Sequence, residues 1–264
     1  MAAAIPPRSD PYAAGMPELP EAERARALIE ARALGRRIAR VDDADTYVCR
    51  PHSAGQIDAA LAGRRLTAAH RRGKSMWCET DGDGPILFLH LGMAGHLAVD
   101  SEPDPHGWDR FTLEFEDGGR LALRDKRRLG RALLEPDLDR LGPDAGEVSR
   151  DDFRARIGRS AAPVKARLMD QSAIAGVGNL LADEALWRAG IDPRRRGVDL
   201  DPDELARLRR AVRAAIRAAL KAGGTGRSAF ARARGQGVCP RDGSELSTAK
   251  VGGRTTRWCP LDQH

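Results

Sequence analysis

The hydrophobic period changes once along this chain, and that change limits the fold more than any other feature. Up to about residue 130 apolar side chains follow a strand-like pattern. Phe111-Thr112-Leu113-Glu114-Phe115 and Arg120-Leu121-Ala122-Leu123 alternate on either side of Asp117-Gly118-Gly119, which predicts a β-hairpin. Pro85-Ile86-Leu87-Phe88-Leu89-His90-Leu91 contains a continuous apolar run of the kind found in strands buried on both faces. Ile38 to Val41 reads as a further strand, Pro20 to Leu34 and Gln56 to Leu61 as helices. Beyond residue 148 the period is helical. Ser149 with Asp152 forms a capping pattern, and Lys165 to Asp170 continues it. Asp201-Pro202-Asp203-Glu204 opens a long helix with one stripe of Leu205, Leu208, Val212, Ala215, Ile216 and Ala219, stopped at Gly223-Gly224. Residues 131–148, rich in Pro, Gly and acids, read as a linker. The chain therefore reads as α+β and multi-domain. Only 4% of its residues are aromatic, so its cores must rest on Leu, Val, Ile and Ala.

Several short stretches carry chemistry. In Met16-Pro17-Glu18-Leu19-Pro20-Glu21, removal of the methionine leaves Pro17 with a free secondary amine beside the Glu18 carboxyl. Such an amine condenses with a carbonyl carbon while a nearby acid moves the protons. The same residues also make an ordinary helix start, the simpler reading of them alone. Arg71-Arg72-Gly73-Lys74 is a basic turn that presents Lys74 to a phosphate, or a solvated hairpin end. Gly92-Met93-Ala94-Gly95 holds Met93 at the tip of a tight turn, although methionine is usually core. Asp125-Lys126-Arg127-Arg128-Leu129-Gly130 suits a wedge, with cations on phosphates and Leu129 in the base stack, or a plain charged loop. Gly176-Val177-Gly178-Asn179 joins two helices and places Asn179 among exposed N–H groups that favour a phosphate.

The tail pairs Cys239-Pro-Arg-Asp242 with Cys259-Pro-Leu-Asp262, sixteen residues later. This is the spacing of a four-ligand zinc ribbon with Asp at two positions, His264 being a further donor; a metal-free hairpin is the alternative. Cys49 and Cys78 complete a set too scattered for a disulfide framework. The net charge of +6 suits a polyanionic partner, and also follows from arginine-rich composition. No apolar run reaches membrane-spanning length, and residues 1–15 lack the pattern of a signal peptide. They read as a disordered extension or a mis-called start, and the protein as soluble and cytoplasmic.

In order and spacing, these motifs with Met169-Asp170 resemble the formamidopyrimidine-DNA glycosylase and endonuclease VIII family over residues 16–264. The resemblance implies an N-terminal catalytic β-sandwich flanked by helices (16–130), a helix–two-turn–helix domain (149–233) and a C-terminal zinc-finger-like β-hairpin (234–264). It implies a base-excision-repair glycosylase with AP-lyase activity, acting on damaged double-stranded DNA as a monomer, with the target base flipped from the duplex. Pro17 would attack C1′, Glu18 would act as acid and base, and Lys74 would contact phosphate and help the base leave. Met93, Arg127 and Leu129 would fill the vacated stack; Asn179 and Arg254 would hold phosphates. Cys239, Asp242, Cys259 and Asp262 would stand at the Zn2+ ligand positions.

The chain departs from the family pattern at four places. Fifteen residues precede Met16, and a proline nitrogen inside a peptide bond is a delocalised amide rather than a nucleophile. Asp replaces two ligand cysteines. Leu129 stands where Phe is more usual. The Gly223–Val238 stretch is short where the formamidopyrimidine branch carries a segment capping 8-oxoguanine, while Leu19 sides with that branch. The damaged base is thus open among 8-oxoguanine, formamidopyrimidine and oxidised pyrimidines. A non-catalytic damaged-DNA binder and a basic RNA-binding protein are the other readings.

Overall fold

The computed structural model describes residues 16–264; the reading of residues 1–15 lies outside them. The chain opens with α1 (Leu19–Arg32), then β1 (Ile38–Asp42), α2 (Gln56–Leu61), β2 (Leu66–Arg72), β3 (Ser75–Thr80) and β4 (Leu87–His90). β5 (His96–Val99), β6 (Asp109–Phe115), β7 (Arg120–Arg124) and β8 (Arg131–Leu134) follow. They form two four-stranded antiparallel sheets, ordered β1-β6-β7-β5 and β2-β3-β4-β8. Ile38, Leu66, Met76, Leu87, Phe111 and Leu113 are buried in one core with Ile29 of α1. This is the sandwich flanked by helices that the family resemblance implied, built from the strands that the alternating pattern marked.

Two readings of the first lobe need correction. Residues 131–134 are not linker but β8, paired with β4 from Leu87↔Leu134 to His90↔Arg131. Their four residues are too few for a pattern to stand out beside the acidic stretch that follows. β4 is not buried on both faces: Leu87 and Leu89 are buried, whereas Phe88 and His90 lie half-buried on the outer face. An apolar run does not report which side of its sheet is packed.

The second lobe holds α3 (Arg150–Ile157), α4 (Val164–Met169), α5 (Asn179–Ala189) and α6 (Pro202–Ala222). All six apolar stripe residues of α6 are buried. Ser149 Oγ accepts from Asp152 N at 3.0 Å, and Asp201 caps α6 with Pro202 in its first turn. A further helix, α7 (Ala229–Gln236), fills the stretch after Gly224, so a boundary at 234 cuts through a helix. Its Phe230 packs with Trp187, Cys239, Leu246 and Cys259 beneath the terminal hairpin of β9 (Ser247–Val251) and β10 (Arg254–Trp258). The lobes share α1. Leu19 belongs to the helical core, whereas Ala22, Ala25 and Ile29 belong to the sandwich core.

Candidate active site

Pro17 and Glu18 enter α1 at the seam between the lobes, and both are buried. The Glu18 carboxylate accepts from the backbone N–H groups of Gly178 (2.8 Å), Leu180 (2.7 Å) and Leu181 (3.1 Å). These are orphan donors at the start of α5, which has no side-chain cap of its own. Glu18 therefore caps a helix of the other lobe, 160 residues away in sequence. Gly178 is required by this approach, since a Cβ there would stand 2.4 Å from Glu18 Cδ. Leu19 N also donates to Gly176 O at 3.1 Å, tying α1 to the Gly-Val-Gly turn.

Burial pushes the Glu18 carboxyl up from its usual 4.5 to about 7, against the opposing pull of Lys74 and of the Leu180 and Leu181 N–H groups. Lys74 lies at the β2–β3 turn, and burial lowers its pKa, with Arg254 adding to the effect and Glu18 opposing it. An amine and a carboxyl are so held as neighbours, the amine pushed down and the carboxyl up to about 7, where it can both give and take a proton near neutral pH. Asp144 fixes the turn, accepting from Gly73 N at 2.8 Å and from Arg71 Nη1. Glu21 ties α1 to the segment after α6, accepting from Thr225 N at 2.6 Å and Thr225 Oγ1 at 2.9 Å.

Asn179 is the first residue of α5, and its Nδ2 donates to Thr255 O at 3.3 Å, beside Arg254 on β10. Pro17, Glu18, Lys74, Asn179 and Arg254 thus gather along the seam. Met93, Arg127 and Leu129 form a separate group. The Met93 turn lies directly on the wedge loop, for a Cβ at Gly92 would meet Leu129 C at 2.4 Å. The loop is shaped by fully buried Asp125, which accepts from Arg127 N (2.9 Å), Leu129 N (2.7 Å) and Gly130 N (2.7 Å). Arg127 is exposed and Leu129 half-buried.

Of the four metal positions, the structure brings together Cys239, Asp242 and Cys259, whose ligand atoms lie within 4.8 Å of one another. Asp262 is not among them: its carboxylate pairs with Arg241, a cation on the neighbouring knuckle that competes for it. His264 is likewise outside the group, its backbone hydrogen-bonded to Gly190 and Asp192. The donor set of two thiols and a carboxylate is compatible with zinc and would supply three of the four ligands of a structural site.

Sequence reasoning missed the parts that hold the site. Asp144 lies in the supposed linker and Asp125 inside a motif read for its cations; no local pattern marks a carboxylate that will be buried on backbone N–H groups. Buried Asp183 of α5 binds Lys165 Nζ at 2.7 Å and Arg234 Nε at 3.0 Å. Lys165 also donates to Thr256 Oγ1 at 2.6 Å, which ties the finger strand β10 to α4 and α5.

Both lobes match known proteins. Residues 16–132 match the formamidopyrimidine-DNA glycosylase N-terminal domain, and residues 141–231 match the formamidopyrimidine-DNA glycosylase H2TH domain. The chain is 37% identical to a formamidopyrimidine-DNA glycosylase of Nocardioides over 279 residues, covering 94% of each chain. It is 38% identical to that of Roseiflexus, covering 93% of this chain and 98% of the other. Among solved structures it superposes with TM-score 0.81 on the Lactococcus lactis Fpg bound to abasic-site DNA, at 28% identity, covering 94% of this chain and 99% of that one. A MutM complex with DNA containing carbocyclic 8-oxo-G gives 0.82 at 28% identity, with 94% and 99% covered.

Proposed function

The chain belongs to the formamidopyrimidine-DNA glycosylase family, and from that premise we propose how its own residues perform the work of a base-excision-repair DNA glycosylase with AP-lyase activity. The partner is damaged double-stranded DNA, lying along the seam between the lobes. Pro17, with its nitrogen freed, forms a bond to C1′ of a flipped nucleotide as the bond to the damaged base breaks. Glu18 delivers a proton as the sugar opens and takes one back during elimination. Lys74, held beside Glu18 at the β2–β3 turn, binds the adjacent phosphate and assists departure of the base. Asn179 and Arg254 hold phosphates at the helix start and finger strand, and Met93, Arg127 and Leu129 occupy the space the base leaves.

The observation that carries this reading is the Glu18 carboxyl. It is buried beside Lys74 and Pro17 with a pKa of about 7, so near neutral pH both its proton-bearing and proton-accepting forms are populated. Capping α5 would be served by a carboxylate that stays ionised, so the raised pKa favours chemistry over binding alone. Cys239, Asp242 and Cys259 would hold a zinc ion, which supplies only a rigid knuckle and takes no part in the reaction. We read the enzyme as a cytoplasmic monomer, since one chain supplies every group named; no helix among the described residues is long and apolar enough to cross a membrane.

The test is borohydride trapping on abasic-site DNA. Protein beginning at Pro17 should be trapped as a stable amine, whereas protein with residues 1–15 verified intact by mass should not be trapped through Pro17. Equal trapping of the two would make another amine, Lys74 foremost, the nucleophile.

A further inference from the structure

Beside the wedge loop lies a cationic cluster that the reaction above does not use. Tyr47 is 48% exposed, the only aromatic residue among the large exposed apolar side chains of the described residues. The Arg50 guanidinium covers its ring at 4.0 Å from the centroid, and Arg128 lies at 5.7 Å. Arg50 and Arg131 both donate to the Tyr47 carbonyl oxygen, Arg131 at 3.2 Å. Arg128 is neutralised by Asp45, through two bonds of 2.8 Å. Among the described residues, no carboxylate forms an ion pair with Arg50 or Arg131. Burial first, and then the charge of Arg50, hold the Arg131 pKa below its usual range. Two guanidiniums converging on one carbonyl oxygen without a counter-ion make a site that an anion would relieve.

The cluster is continuous with the catalytic seam. Arg131 stands opposite His90 in the sheet, and His90 opposite Ser75, the neighbour of Lys74. Burial, with Lys74 and Arg131, keeps His90 neutral, its pKa pushed down to about 4. A cationic strip therefore runs from Lys74 past His90 to Arg131 and Arg50, bordered by the wedge loop at Arg128.

We propose that Arg50 and Arg131, arranged on Tyr47, bind a DNA backbone phosphate beyond the nucleotide held at Lys74, lengthening the footprint on one side of the lesion. The ligand is a phosphate rather than a stacked base, because Arg50 already covers a face of the ring, and a guanidinium fork matches phosphate geometry. The contact is sequence-independent. Tyr47 acts as a platform, limiting the freedom Arg50 loses on binding.

This inference rests on the DNA-binding reading above, and the test separates the two. Affinity is measured for Pro17-started protein on a long duplex with a central tetrahydrofuran abasic analogue, and on duplexes cut back on either side. On the long duplex, Arg50→Gln should weaken binding about five- to tenfold and reduce the salt slope by about 0.9, as expected for one phosphate contact. Arg50→Lys should recover part of the loss, and Tyr47→Ala should show a smaller one. The difference between Arg50→Gln and wild type should vanish on the duplex cut back on one side and persist on the duplex cut back on the other. An unchanged salt slope, or an equal loss on all three duplexes, overturns the patch; wild type that binds none of them overturns the DNA reading itself. Thermal melting of each variant checks its fold.

Discussion

The seam at Glu18 and the terminal finger are both places where distant parts of the chain meet, yet they are held in different ways. At the seam, one carboxylate meets three backbone N–H groups through an approach that only a glycine permits. Other contacts tie α1 to the helical lobe, but none of them can take the place of the Glu18 carboxylate on the three N–H groups of α5. The finger is held many times over. Phe230, Trp187 and Leu246 pack beneath it, Gln263 bridges Cys259 N (2.9 Å) and Ile191 O (2.8 Å), and Lys165 and Arg234 reach it from the helices. Redundant anchoring explains how the finger keeps its shape with Asp at two ligand positions, while the seam keeps its glycines.

That contrast can be broken at its strongest points first. The finger's root is the exception to its tolerance, because Asp183 neutralises two cations in a nearly dry site. Asp183→Asn should destabilise the protein by about 3–5 kcal/mol, the usual cost of breaking a buried pair. Denaturant melts check this, and a cost below about 1 kcal/mol would place the root among exposed pairs.

The seam is next, probed by pH. Glu18 has a higher pKa in the fold (about 7) than its usual 4.5, so folding favours its protonated form. Its contribution to stability is fully present below about pH 4.5 and is lost as pH rises through about 7. The stability of wild type relative to Glu18→Gln should therefore improve by roughly 2–3 kcal/mol from pH 8 to pH 5. A difference flat with pH would mean that Glu18 stays ionised throughout. The same variant should lose base excision more severely than binding.

Gly178→Ala should slow borohydride trapping about 100-fold, the order expected when a catalytic group is displaced by about an ångström. Binding to an abasic analogue should change far less. Parallel losses in both would show that the seam serves affinity rather than chemistry.

The smallest effect belongs to the finger's tip. The Arg241–Asp262 pair is partly exposed, so Asp262→Ala should cost under about 1 kcal/mol. Metal analysis should find about one zinc per chain in both proteins, since a single site is formed without Asp262. Zinc present in wild type and lost from the variant would restore Asp262 as a ligand.

The sequence by itself determined most of the elements and named the candidate reactive groups. Period, caps and turn residues marked the hairpin of β6 and β7, the stripe of α6 and the start of α5 at Asn179, because those signals are local. Motif order likewise singled out Pro17, Glu18, Lys74 and the loop at Leu129 as the candidates. What only the tertiary structure decided was the environment of each group. The raised pKa of Glu18 depends on burial against a helix of the other lobe, and the shape of the wedge loop depends on a buried Asp125. The loss of Asp262 to Arg241, and the unneutralised charges around Tyr47, depend on which neighbour arrives first across space. Desolvation and charge pairing are set by distances between residues far apart in the chain, and no local pattern of side chains records those distances.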